Sequence, residues 1–91
     1  MTTPEEEYYR VLALDFLAHM KSHVASVVQT LPRCDWKEIE TLGNHLKGSG
    51  TMFGFPHLSQ LGAKLEEEVQ KGRESEALAT LLDLASVLER T

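Results

Sequence analysis

The sequence predicts an all-α fold, an antiparallel up-down-up-down four-helix bundle in which residues 1–91 form one domain. Apolar residues recur at three- and four-residue steps in four segments, the spacing of amphipathic helices and not of strands. Helix-start and helix-stop residues separate these segments. The connections between them, of about two to five residues, make neighbouring helices antiparallel. With 42% apolar and 25% charged residues, the composition is that of an ordinary globular domain.

The first helix is predicted to begin at Thr3-Pro4-Glu5-Glu6, where threonine caps the helix, proline occupies the first turn and Glu6 completes a capping box. It is predicted to end at Leu31-Pro32, because proline cannot continue a helix. This is long for one helix of a small domain, so its first turns are expected to bend away as a separate piece. Its apolar stripe consists of Tyr9, Ala13, Phe16, Leu17, Met20, Val24, Val27 and Leu31.

The other three helices are delimited in the same way. The second is predicted to start at Asp35, in a capping box with Glu38, and to end at Gly54-Phe55-Pro56. The third is expected to stop near Gly72, and Ser75 is expected to cap the fourth. Their apolar stripes are Trp36, Ile39, Leu42, Leu46, Gly50 and Phe53, then Leu58, Leu61, Leu65 and Val69, then Leu78, Leu81, Leu82, Ala85 and Leu88.

The charge balance limits the kinds of binding partner that we expect, and the single cysteine limits the cellular compartment. Nine basic and fourteen acidic residues give a net charge of −5, which argues against nucleic acid or an anionic membrane as partner. No uninterrupted apolar run approaches the roughly 20 residues of a membrane span, and acidic residues follow the start where a signal peptide would be basic. Cys34 cannot form an internal disulfide, which fits a reducing cytoplasm.

The segment GNHLKGSGTMFGF, residues 43–55, carries four glycines within a helical pattern. Each interior glycine costs a helix about 1 kcal/mol relative to alanine. At about 100° per residue, Gly50 lies on the core side with Leu46, and Gly43 lies about 60° from Leu46, where it can admit a neighbouring helix. Gly48 lies on the outward side, so core packing does not explain it.

Asn44 also points outward, about 160° from the core direction, while Lys47 and His45 occupy the two shoulders of the helix. An exposed helix position without a side chain suits the close approach of another surface, and sequence drift is the alternative explanation for Gly48. We interpret this side of the helix as a docking surface. Its residues are Thr41, Gly48, Ser49, Thr51 and Met52.

The same segment resembles the signature of histidine-containing phosphotransfer (HPt) domains. These are four-helix bundles that pass phosphoryl groups between receiver domains in two-component phosphorelays. The resemblance covers nearly the whole chain. It implies a cytoplasmic, monomeric module, bound to neither membrane nor nucleic acid, that docks a response-regulator receiver domain, a hybrid sensor kinase or both. The matching positions are Gly43, Leu46, Lys47, Gly48, Ser49, Gly50 and Gly54, followed by Leu58, Leu61, Leu65 and Glu66.

One position departs from the family pattern. Asn44 stands where the family carries its phosphorylated histidine, and sliding His45 into that register would misplace Lys47 and Gly48. An amide nitrogen is delocalised into its carbonyl and is a poor nucleophile, so phosphotransfer is expected to be impaired. The resemblance implies that Lys47 neutralises phosphate charge and that the partner receiver holds the Mg²⁺. The chain itself then needs no cofactor and is at most a phosphotransfer intermediate without catalytic machinery of its own.

Several alternatives stay open at this stage. His45 could act as a substitute phosphoacceptor, or it could be a surface histidine hydrogen-bonded to Glu38 or water. Asp15, His19 and His23 have the spacing of metal ligands on one helix face, so a metal-binding or purely structural bundle outside phosphorelays is the remaining reading. The sequence also leaves open whether Asn44 is natural or introduced, and whether the domain stands alone or within a larger kinase.

Overall fold

The computed structural model describes residues 3–31, 33 and 35–91. It contains four helices, which are α1 (Pro4–Gln29), α2 (Trp36–Met52), α3 (Pro56–Gln70) and α4 (Glu74–Arg90). No strand occurs in the described part of the chain, and the predicted all-α four-helix bundle is confirmed. The predicted helix stop at Pro32 and the interpretation of Cys34 lie outside the described residues.

The first helix starts as predicted but is not divided. The Oγ1 of Thr3 accepts the backbone N–H of Glu6 at 3.2 Å, and a side-chain oxygen of Glu6 accepts the N–H of Thr3 at 3.3 Å, which completes the capping box. The expectation of a separate N-terminal piece is wrong, since α1 runs without interruption from Pro4 to Gln29. Neither glycine nor proline occurs in residues 5–29, so no residue removes a hydrogen bond within the helix.

The first turns of α1 extend past the rest of the bundle. Residues 4–11 are exposed, and Phe16 is the first buried residue of the helix. The ring of Phe16 stacks on Phe53, just after the end of α2, with 4.9 Å between ring centroids. Because α1 is antiparallel to α2, the residues before Phe16 lead away from the other helices. We call residues 4–15 the overhang; at 1.5 Å per residue it is about 18 Å long.

By length and composition alone, α1 could also cross a membrane. An 18-residue window within it has a mean hydropathy of 1.3, and 28% of that window is buried in the bundle. The apolar side of the helix is the side that packs against the other helices, so membrane insertion is not needed to account for its composition.

The core is formed by one face of each helix. Two residues of the predicted stripes are exposed, since Tyr9 is 65% exposed on the overhang and Leu82 is 52% exposed on α4. The fourth helix carries more leucines than one face can bury, and the observed face follows a 4-3-4 spacing. The buried apolar residues are Phe16, Leu17, Met20, Val24, Val27, Ile39, Leu42, Leu46, Leu58, Leu65, Ala77, Leu81, Leu84 and Leu88.

The helix ends differ from the predictions in two places. Asp35 accepts the N–H of Lys37 at 3.0 Å, as a capping residue does, but Glu38 pairs with His23 of α1 at 3.4 Å. The fourth helix begins at Glu74, so Ser75 lies inside it and is not its cap. The predicted stop near Gly72 is confirmed, because this residue follows the end of α3 with φ +70°.

Three glycines bring α2 and α3 into close contact. A Cβ added to Gly43 would lie 2.8 Å from the carbonyl oxygen of Gly62, and one added to Gly62 would lie 2.6 Å from the Cβ of Leu46. A Cβ on Gly50 would lie 2.6 Å from the backbone nitrogen of Ser59. Such distances are too short for a real side chain, so the two helix backbones can approach this closely only because these positions are glycine.

Candidate functional site

A hydrogen-bonded group of three side chains links α2 and α3 on the surface of the bundle. Asn44 donates from Nδ2 to Oε2 of Glu66 at 2.7 Å, and Lys47 donates from Nζ to Oε1 of the same carboxylate at 2.6 Å. Asn44 and Lys47 are three residues apart on α2, so their side chains lie on the same side of the helix. Glu66 therefore holds both in place from α3.

The close contact of the two helices places Glu66 within reach. A Cβ on Gly43 would lie 2.9 Å from the backbone nitrogen of Glu66, so the two backbones touch at the site itself. One turn along α2, Ser59 donates from its hydroxyl to the carbonyl oxygen of Lys47 at 2.6 Å. This bond fixes the α2 backbone against α3 where the Lys47 side chain begins.

Lys47 and Glu66 form an ion pair at the site, in which the two opposite charges balance each other. The hydrogen bond from Lys47 lowers the pKa of Glu66, the bond from Asn44 lowers it further, and desolvation opposes both. Glu66 is therefore ionised at neutral pH. The side chain of Lys47 is 47% exposed and that of Glu66 is 11% exposed. The ammonium group thus remains accessible from solvent, although its charge is balanced by a carboxylate directly beneath it.

This pKa shift predicts a pH-dependent contribution to stability. Because the pKa of Glu66 is lower in the folded state, the unfolded chain binds more protons in this range, and stability rises with pH. The contribution is complete above the ordinary pKa of glutamate, about 4.3. It is lost as the pH falls through the lowered pKa of the folded state. We expect Glu66→Gln to lose roughly 1 kcal/mol of unfolding free energy at pH 7, since Lys47 is partly solvated.

The measurement is urea denaturation of both proteins at pH 7 and at pH 3, with Glu89→Gln on the exposed side of α4 as the matched control. The difference between wild type and Glu66→Gln should shrink at pH 3, and the control should match wild type at both values. An equal difference at both pH values would contradict a charge-dependent role of Glu66.

His45 lies on the opposite shoulder of α2, toward α1. Its ring centroid is 6.3 Å from that of Phe16, whereas Asn44 reaches across to Glu66 on α3. Of the two partners expected for a surface histidine at position 45, Glu38 pairs with His23 instead, and water stays a prediction. His45 and Asn44 therefore face different neighbours, and only Asn44 shares a carboxylate with Lys47.

The outward side of α2 has the geometry expected of it. Gly48 is exposed, and a Cβ added there would meet no atom within 4 Å. Thr51 is exposed and the Met52 side chain is 71% exposed, whereas Ser49 is only half-buried. Thr41 is exposed but donates its hydroxyl to the carbonyl oxygen of Lys37 at 2.9 Å. These residues form an open surface beside Asn44, and its use for docking stays a prediction.

The histidines of α1 are arranged as neighbours on the helix surface. The ring centroids of His19 and His23 are 6.2 Å apart, and Nε2 of His23 is engaged with Glu38. In the part of the chain that the structure describes, no three His, Cys, Asp or Glu side chains cluster as ligands of one metal ion. The contact of His23 with Glu38 thus links α1 to α2.

Sequence reasoning gave no role to Glu66 and did not single out Gly62. In the sequence pattern Glu66 is only an acidic position of the family signature, yet it is the residue that joins Asn44 to Lys47. A signal was present, since Gly62 and Glu66 are four residues apart and so lie on one side of α3. A small residue beside an acidic one on a helix side that also carries leucines indicates close packing and a polar contact at its edge.

Comparison with family models matches residues 11–91 to the model described as Hpt domain. Comparison with curated proteins and with solved structures gave no match. The family match includes all of α2, α3 and α4 and begins within the overhang of α1.

Proposed function

We propose that this chain, which belongs to the Hpt domain family, docks a receiver domain without accepting its phosphoryl group. Members of this family are phosphotransfer modules that interact with response regulators or kinases in phosphorelays. The docking surface in this proposal is the outward side of α2 around Gly48. The proposed setting is the cytoplasm, with the chain acting as a monomer. A receiver domain, within a response regulator or a hybrid sensor kinase, is the proposed partner.

The observation that carries the proposal is the state of Asn44. Its side chain is exposed, and its Nδ2 donates to Glu66. In phosphotransfer to an Hpt domain, an imidazole nitrogen with a free lone pair attacks the aspartyl phosphate of the receiver. The amide nitrogen of Asn44 has no such lone pair, and one of its hydrogens is already used. Asn44 can still offer its carbonyl oxygen and its second N–H to a docked surface.

The role proposed for Lys47 is to face the acidic centre of the docked receiver. Its Nζ is held by Glu66 at 2.6 Å and is still half-exposed. An ammonium held in this way needs little reorganisation when a negative group approaches, but its attraction is reduced by the carboxylate behind it. We therefore infer docking that depends more on shape at Gly48 than on charge at Lys47.

Transfer through His45 is the second candidate, and its geometry is less favourable. A step of one residue rotates a side chain by about 100° around the helix and moves it 1.5 Å along the axis. His45 accordingly lies beside Phe16, on the side of α2 away from Lys47 and Glu66. In-line transfer needs reacting atoms about 3–3.5 Å apart and aligned. A receiver seated on Gly48 would have to rotate around α2 to meet this imidazole.

The proposal predicts binding that is sensitive to a side chain at Gly48. We expect Gly48→Gln to weaken the affinity for a receiver domain at least about tenfold, because a long side chain would stand in the centre of the interface. The measurement is calorimetric titration with receiver domains from the same organism. The matched control is Ser86→Gln, which places the same long side chain at an exposed position of α4 and is expected to bind as wild type does.

Both variants should retain the wild-type helix content, measured by circular dichroism. Equal binding by Gly48→Gln and wild type would place the docking surface elsewhere on the molecule. No binding of any receiver by the wild-type chain would contradict the proposal as a whole.

A further inference from the structure

The overhang of α1 exposes an unusual amount of apolar surface. Tyr8 is 63% exposed, Tyr9 65%, Val11 56% and Leu14 58%. These are four of the six large apolar side chains that the described residues leave exposed, and they lie within seven consecutive positions of one helix. At about 100° per residue they do not share one face, since Val11 and Leu14 point away from Tyr9, so only the side that carries Tyr8 and Tyr9 is a candidate interaction surface.

Part of this surface continues the core stripe of α1. At about 100° per residue, Tyr9 and Ala13 lie within about 20° of the buried Met20, with Leu12 at the edge of the same face. From Phe16 onward this side of α1 is covered by other helices, whereas Tyr9 is exposed and Leu12 and Ala13 are only half-buried. The overhang therefore presents an apolar face like those that pack within the bundle, but no described helix covers it.

The charge of the overhang limits what can cover this face. It carries four acidic residues, Glu5, Glu6, Glu7 and Asp15, against one basic residue, Arg10. An anionic lipid surface would be repelled by this charge. A second copy packed antiparallel would bring acidic residues against acidic residues. A partner with basic side chains on either side of an apolar stripe would meet Glu5 at one edge and Glu6 at the other, about 60° and 40° from the Met20 direction, with Arg10 farther out on the Glu6 side at about 80°.

We propose that the overhang docks an amphipathic helix of a protein partner whose apolar stripe is flanked by Lys and Arg. The partner helix packs along Tyr9 and Leu12, extending the helix packing of the bundle beyond its end, and Tyr8 covers one edge of the contact. The proposal goes beyond receiver docking at α2. Residues 4–10, which include Tyr8 and Tyr9, precede the segment matched to the Hpt family.

The test is an NMR titration of the full chain, labelled with ¹⁵N, with a synthetic amphipathic peptide of about 20 residues. Leucines form the apolar stripe of this peptide and lysines flank it; a second peptide carries glutamate in place of every lysine. We expect saturable shifts of the amides of residues 5–16 with the lysine peptide and at least about tenfold weaker binding of the glutamate peptide.

The double variant Tyr8→Ser/Tyr9→Ser should weaken the lysine peptide at least about tenfold, since exposed aromatic anchors dominate such contacts. Serine and tyrosine have similar helix propensities, so the helix should persist. Leu82→Ser on α4 removes an apolar side chain of comparable exposure, 52%, and should bind as wild type does.

Three results would overturn the proposal. One is a peptide titration in which both peptides bind equally or in which the amide shifts are confined to residues 41–52. Another is binding of the chain to vesicles containing phosphatidylglycerol that the tyrosine variant abolishes, which would assign the face to lipid. The third is a concentration-dependent dimer in sedimentation that the same variant abolishes, which would assign it to a second copy.

Discussion

Gly50→Ala is expected to lower the free energy of unfolding by about 1–3 kcal/mol, although alanine is the better helix former. The added Cβ would lie 2.6 Å from the backbone nitrogen of Ser59, 3.0 Å from its Cα and 3.1 Å from the carbonyl oxygen of Phe55. All three are backbone atoms, so no side-chain rotation can relieve the overlap. The two helices must separate, which also disturbs the 2.7 Å hydrogen bond from the N–H of Phe55 to the carbonyl oxygen of Gly50.

Thermal and urea denaturation would measure this effect, and for a domain of this size 1 kcal/mol corresponds to roughly 4–8 °C in Tm. The matched control is Gly48→Ala, two residues away on the same helix, where the new Cβ would meet nothing within 4 Å. It should raise stability by up to about 1 kcal/mol. If both variants melted at the wild-type temperature, the close approach of α2 and α3 at Gly50 would be wrong.

Asn44→His is expected to accept phosphate from a phosphorylated receiver, which the wild-type chain is expected not to do. The carboxylate of Glu66, which now accepts from Asn44 at 2.7 Å, can accept an N–H from one nitrogen of the new imidazole. The other nitrogen would then be unprotonated and turned toward solvent. Lys47 and Gly48 remain in place, so the rest of the site requires no change.

The measurement is incubation with a receiver carrying labelled phosphate, followed by mass spectrometry of the acid-labile product. Asn44→Gln, which alters the side chain without supplying a nucleophile, is the control and should stay unlabelled with the wild type. Phosphohistidine at His45 in the wild-type chain would favour the second candidate function. Absence of label on Asn44→His, despite measured receiver binding, would mean that the surrounding residues no longer support transfer.

The sequence predicts the helices well because their signals are local. The capping box at Thr3 and the positive φ at Gly72 each depend on neighbouring residues, and both are confirmed. The start of α4 is less clear from sequence, because Ser75 is a good capping residue in isolation whereas the observed cap, Arg73, makes no side-chain capping hydrogen bond. The exposed position of Leu82 depends on how α4 is rotated against its neighbours, which spacing alone does not determine in a leucine-rich helix.

The site is less predictable because its contacts join residues distant in the chain. Helical periodicity places Asn44 and Gly48 on the outward side of α2, and the structure agrees. Periodicity cannot show that the side chain of Asn44 reaches α3, because its partner Glu66 is 22 residues away in the sequence. For the same reason the pairing of His23 with Glu38 could not be foreseen, since it requires the register of α1 against α2.

The glycine contact between α2 and α3 also separates two kinds of selection acting on one short segment. A side chain at Gly43 or Gly50 would collide with the backbone of α3, so substitutions there are expected to lower the stability of the domain. A side chain at Gly48 would meet no atom within 4 Å, so it carries no such cost, and substitution of Asn44 removes only its hydrogen bond to Glu66 at the surface. A lineage can therefore exchange the reactive residue while the scaffold is inherited unchanged. A domain of this kind without a nucleophile at position 44 could therefore still evolve as a binding protein.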